Sequence, residues 1–191
     1  MFARPRIGLL GGSFNPAHEG HLHISLMALQ RLNLNQVWWL VSPSNPLKEA
    51  RDLAPYESRL AGARIMARHP RIKVSDFEVR AGTFYTIHTL RALKRRFGGV
   101  RFVWIAGADI LLQLPLWRDW EALFRTVPIA IFDRPTYSLK ALSGLAAQRF
   151  GEARLPSRNA GKLAEQTPPV WTFIHGRRNP ASATKLREGG G

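Results

Sequence analysis

The chain contains no cysteine, which excludes disulfides and thiolate-held metals outright. Acidic residues are scarce: 13 Asp and Glu stand against 28 Lys and Arg, for a net charge of +15. No run approaches the roughly 20 apolar residues needed to cross a bilayer. Near the start, Arg4 and Arg6 are followed only by Ile7-Gly8-Leu9-Leu10 before a glycine pair, far short of a secretory core. These absences predict a cytoplasmic protein without a membrane partner. What remains is 191 residues, 45% of them hydrophobic, enough for one well-buried core and too few for two. No internal repeat or linker divides the chain, so 1–191 reads as one domain.

A surplus of positive charge attracts polyanions. The basic residues are scattered, however, and only Lys94-Arg95-Arg96 makes a run. No aromatic-interleaved basic stripe accompanies them, so the surplus fits a protein with small anionic substrates better than a specific nucleic-acid binder.

Short apolar runs alternate with helical patterns along the whole length. Strands are predicted at Ile7–Leu10, Val37–Val41, Ile72–Val74, Phe102–Ala106, Ile129–Phe132 and Val170–Ile174. Helices are predicted over His21–Leu32, Pro55–Arg68, Thr86–Phe97, Asp109–Phe124 with a break at Pro115, and Leu139–Gln148, with a short last one opened by Ser182. Residues 151–169 show the least pattern and read as a surface loop. The strands are continuously apolar rather than alternating, which predicts a doubly wound, mostly parallel α/β sheet with helices on both faces. Ligands in such folds bind at the carboxyl ends of strands. The motifs at 11–21, 42–48, 107–109 and 175–187 all fall at such ends.

Residues 11–21, Gly-Gly-Ser-Phe-Asn-Pro-Ala-His-Glu-Gly-His, carry the most information. Gly11 and Gly12 are expected to let the backbone leave the strand in a conformation closed to side chains, baring N–H groups to a ligand. His18 and His21 then stand three apart at a helix N-terminus, where free N–H groups and the helix dipole favour a phosphate. A metal site with His23 is the competing reading, but His21 and His23 face different sides of a helix and no zinc-type spacing supports it. Near the other end, Ser182 and Thr184 can cap a helix and donate to phosphate, with Arg187 one turn on. Gly107 and Asp109 follow a strand, where the glycine permits close approach and the carboxylate suits ribose hydroxyls.

The eleven-residue motif resembles the G-G-x-F-[DN]-P-x-H-x-G-H signature of nicotinate mononucleotide adenylyltransferases, within the H-x-G-H superfamily of nucleotidyltransferases. Collinear matches run from Gly11 to Arg187. Ser182-Ala183-Thr184 through Arg187 is similar to I-S-x-T-x-x-R, with Ala181 in place of the isoleucine. Asn45-Pro46-Leu47-Lys48 is similar to P-P-H-[KR], without the histidine. Phe84-Tyr85-Thr86, Gly107-Ala108-Asp109, Trp117 and Arg134-Pro135 also have counterparts.

The resemblance implies adenylyl transfer from ATP to nicotinate mononucleotide, releasing pyrophosphate and forming deamido-NAD. Under it, His18, His21 and Arg187 are catalytic. Gly11, Gly12, Ser13, Phe14, Lys48, Gly107, Asp109, Ser182 and Thr184 hold ATP and its phosphates. Asn45, Thr86, Trp117 and Arg134 hold the mononucleotide. Mg2+ arrives on ATP, and no resident metal or tightly bound cofactor is implied. Nicotinamide mononucleotide or phosphopantetheine as acceptor, and an inactive nucleic-acid-binding relative, are the alternatives. Relatives are expected to continue beyond Arg187, so the C-terminal helical segment reads as shortened; monomer and homo-oligomer both remain open.

Overall fold

The structure, a computed structural model, describes residues 3–43, 53–133 and 137–175. Strand β1 (Arg6–Gly12) leads through helix α1 (Glu19–Arg31) to β2 (Gln36–Val41), and α2 (Tyr56–Met66) leads to β3 (Ile72–Ser75). The chain then turns back through α3 (Phe77–Ala81) and α4 (Thr86–Arg96) to β4 (Arg101–Gly107), on the other side of β1. After α5 (Ala108–Gln113) and α6 (Trp120–Thr126) come β5 (Ile129–Phe132), α7 (Ser138–Ser143), α8 (Leu145–Arg149), β6 (Arg154–Leu155) and β7 (Trp171–Ile174). The order is β3-β2-β1-β4-β5-β7-β6, and every pairing is parallel.

The continuous apolar strands are explained by burial on both faces. In β1, Leu9 joins one core and Leu10 the other. Register keeps each face in line: Leu10 lies beside Trp39 and Ile105, and Leu9 beside Trp38 and Trp104. The first face is covered by α4 to α8, with Ile87, Leu90 and Phe124 packed on it. The second is covered by α1 and α2, through Ile24, Ala28, Leu29 and Leu60.

Three expectations need correction. Residues 151–169 are not a surface loop: Ser157–Glu165 forms a 3-10 helix that buries Ala160, Leu163 and Ala164 against the second core, and Arg154–Leu155 adds an edge strand. Prolines at 156, 168 and 169 disguise this segment. The helix expected over Leu139–Gln148 is two, because Gly144 takes an extended conformation packed against Leu112. Helix α3 was absent from the pattern, since five residues are too few to show a period.

Candidate active site

The strand order reverses between β1 and β4, and a cavity of about 360 Å3 opens at the carboxyl ends beside that point. One of its walls is the start of α1. His18 is the N-cap, and its Nδ1 accepts from the Gly20 N–H at 3.1 Å. His21, three residues on, accepts from the His18 N–H at its own Nδ1, also at 3.1 Å. The pair is a capping box built from imidazoles in place of hydroxyl and carboxylate. Because each Nδ1 is an acceptor, each neutral ring carries its proton on Nε2 and is a donor there. The ring centroids lie 3.9 Å apart, and Phe14 stacks on Trp39 and meets the His21 ring at a tilt. A further chain fixes the helix to the sheet: Trp39 donates to Ser25 Oγ at 2.7 Å, and Ser25 donates to the His21 carbonyl at 2.8 Å.

The glycine pair works differently from the sequence expectation. Gly11 and Gly12 lie within β1, and the left-handed residue of this loop is Phe14, with φ 48°. A side chain at Gly11 would meet nothing within 4 Å. Gly11 therefore contributes open space to the cavity, whereas the turn itself rests on Phe14. Burial of that ring offsets a left-handed conformation costing about 1–2 kcal/mol.

Gly11, Gly12, Ser13, Phe14, His18, His21, Thr86, Gly107, Asp109 and Trp117 all line this one cavity. Trp117 meets Trp104 edge-on at 5.7 Å, and its indole N–H is buried with no hydrogen-bond partner among the described residues. Trp120 packs instead against Phe124 and Phe150 in the first core. Asn45, Lys48, Arg134, Ser182, Thr184 and Arg187, and the helix expected from Ser182, lie outside the described residues. Among the described residues, no three His, Asp or Glu side chains gather as they would around a metal.

Two buried charged residues, one behind the site's loops and one at its edge, were missed from sequence. Arg59 is 4% exposed, and its guanidinium donates to the carbonyls of Ser13, Ser42, Pro43 and Ala54. Glu78, 6% exposed, borders the cavity and accepts from the hydroxyls of Ser42 at 2.7 Å and Thr89 at 3.2 Å. Each sits on a short helix that offers no motif, among many similar charged residues. Their significance arises only when the loops close over them.

Burial pushes the Glu78 carboxyl above the ordinary glutamate range, and the hydroxyls of Ser42 and Thr89 pull only partly against it. The folded chain thus holds this proton in a pH window where the unfolded chain has released it. Stability from this group declines as pH rises from the ordinary glutamate value through the raised one. Glu78→Gln is expected to flatten that decline. Urea midpoints of both chains across the acidic to neutral range check it, and parallel curves would refute it.

The chain belongs to the cytidylyltransferase-like family, whose model matches residues 9–189. It is a nucleotidyltransferase, and within that class its curated relatives identify the branch as nicotinate-nucleotide adenylyltransferase. It is 52% identical over 186 residues to the probable nicotinate-nucleotide adenylyltransferase of Parvibaculum lavamentivorans, covering 97% of this chain and 92% of that protein. With the same-named protein of Rhizobium meliloti it shares 48% over 181 residues, covering 95% and 96%. In fold it is similar to the Plasmodium falciparum nicotinic acid mononucleotide adenylyltransferase complexed with NaAD. That match has TM-score 0.72 at 16% identity and spans 96% of this chain and 83% of the other.

Proposed function

We propose that this chain transfers the adenylyl group of ATP to nicotinate mononucleotide, aided by the two imidazoles of its α1 N-terminus, in the cytoplasm. The observation that carries the reading is the paired use of both Nδ1 atoms as backbone acceptors, which commits both Nε2 atoms to donation beside a helix N-terminus. A phosphate oxygen of the mononucleotide, already ionised at neutral pH, attacks the α-phosphorus of ATP. The bond from that phosphorus to the β-bridging oxygen breaks, and pyrophosphate leaves. No proton moves, so the site needs no general base. It needs donors that steady charge on the α-phosphate and the leaving group.

His18 and His21 supply those donors, with Ser182, Thr184, Lys48 and Arg187 assigned to ATP phosphates by their motif positions. Mg2+ accompanies ATP as part of the substrate. Asp109 is assigned to ATP, and Trp117 to the pyridine ring, whose electron-poor face suits an indole. Its N–H, without a partner among the described residues, offers that ligand a donor. Thr86, at the first turn of α4, faces the nicotinate carboxylate in this reading, together with Asn45 and Arg134.

Pyrophosphate release tests the reading, with Mg-ATP and nicotinate mononucleotide, its amide or phosphopantetheine offered separately. Release with the first alone is expected. Release only with the amide or phosphopantetheine would reassign the acceptor. No release with any of them, from a folded sample, would overturn the activity.

A further inference from the structure

Glu78 is a carboxyl at the edge of a cavity for anionic ligands, and among the described residues its two oxygens are met by hydroxyls rather than by cations. Those hydroxyls come from different parts of the fold. Ser42 follows β2, and its N–H donates to the Gly12 carbonyl at 3.0 Å. Thr89 lies on α4, and its hydroxyl also shares a hydrogen bond of 2.9 Å with that of Thr83. The Thr83 N–H returns to the Glu78 carbonyl at 2.9 Å, so backbone and side chain of Glu78 grip the turn before α4 from both ends.

That helix needs the grip. Its N-cap, Tyr85, makes no side-chain capping bond, and a first turn without one is free to fray. The Thr89 N–H closes onto the Tyr85 carbonyl at 3.1 Å, and Glu78 holds Thr89 in place through its hydroxyl. Tyr85 and Thr86, the residues so held, line the cavity that Trp117 also borders. The imidazole wall hangs on α1 and is fixed by its own capping box and by Ser25.

We propose that Glu78 is a positioning residue for the mononucleotide half of the site, acting through Thr89 on the first turn of α4 and anchored to β2 by Ser42. This rests on the adenylyl-transfer reading. An ionised carboxylate suits the task because it offers acceptors to two hydroxyl donors at once, whereas a carboxamide offers one acceptor and a donor.

Equilibrium binding of nicotinate mononucleotide and of Mg-ATP, each followed by tryptophan fluorescence, separates the two halves. Glu78→Ala is expected to weaken the mononucleotide by about tenfold, the scale of one lost polar anchor, and ATP by less than about twofold. Glu78→Gln should recover part of the loss. Ser42→Ala should weaken the mononucleotide too, and add little in a Glu78→Ala background. Should Glu78→Ala fail to fold, Glu78→Gln and Ser42→Ala carry the test. Equal losses for both ligands would reduce Glu78 to a general structural role and overturn the proposal, as would unchanged mononucleotide binding in the variants. A wild-type chain that binds ATP but not the mononucleotide would instead overturn the acceptor assignment on which the proposal stands.

Discussion

His21→Ala is expected to lower kcat by at least about 10²–10³-fold, the usual cost of removing one aimed donor from a site that works by charge stabilisation. The substitution removes two things together. One is the Nδ1 acceptor that receives the His18 N–H; the other is the Nε2 donor assigned to substrate. The first is a capping loss of about 1 kcal/mol, which lowers Tm by roughly 2–4 °C in a chain of this size. His21→Asn separates them, since its side-chain oxygen can take the place of Nδ1 while nothing reaches the place of Nε2. That variant is expected to recover most of the stability and little of the rate. Single-turnover kinetics and a melting curve on both variants decide it. Near-normal turnover in His21→Asn would mean that the ring serves only to cap α1, and the mechanism would fall.

How far the site was legible depends on whether a residue acts through local spacing or through closure of distant loops. His18 and His21 belong to the first kind. A separation of three at a helix start keeps both rings at its N-terminus wherever the helix packs; the structure starts α1 at Glu19, two residues earlier than expected, and so makes them N-cap and N3. The parallel sheet is legible for a similar reason: Phe102 to Ala106 is apolar without alternation because successive residues feed opposite cores. Arg59 and Glu78 belong to the second kind. In sequence Arg59 is one of 28 basic residues on an ordinary helix, and only its four carbonyl acceptors set it apart. The glycine pair shows a third case. Two glycines signal backbone freedom, yet the left-handed conformation passes to Phe14, whose ring is fixed by His21 and Trp39. Such an exchange depends on tertiary burial, which local pattern does not encode.

Arg59 carries the largest expected effect on stability. Its Nε donates to the Ala54 carbonyl at 2.9 Å, Nη1 to Ser13 at 2.6 Å and Ser42 at 2.8 Å, and Nη2 to Pro43 at 3.1 Å. One planar fork therefore joins the loop after β1, the end of β2 and the residue that leads into α2. Asn15 strengthens the junction by accepting from the Ala54 N–H at 3.1 Å. Burial lowers the affinity of this guanidinium for its proton, with the Tyr56 ring packed 5.4 Å away. The carbonyl dipoles offset that desolvation.

Truncation to alanine takes the guanidinium donors away from four carbonyls, at about 1–3 kcal/mol for each that is then left unpaired where water cannot reach. Relaxation of the loops reduces the sum, so a net loss of about 3 kcal/mol is expected, a fall in Tm on the order of 10 °C. Arg59→Lys should recover less than half of it, because a single ammonium cannot span acceptors spread around a fork. Activity should fall further than stability suggests. Ser13 stands in the loop that leads to His18, and Ser42 anchors Glu78, so releasing both disturbs the phosphate and mononucleotide walls together. A displacement of about 1 Å at such walls can cost 10²-fold, and kcat/KM at a temperature where the variant remains folded should show a loss of that order. A lysine variant with wild-type Tm and wild-type kcat/KM would show that charge alone, without the fork, suffices to hold the three segments.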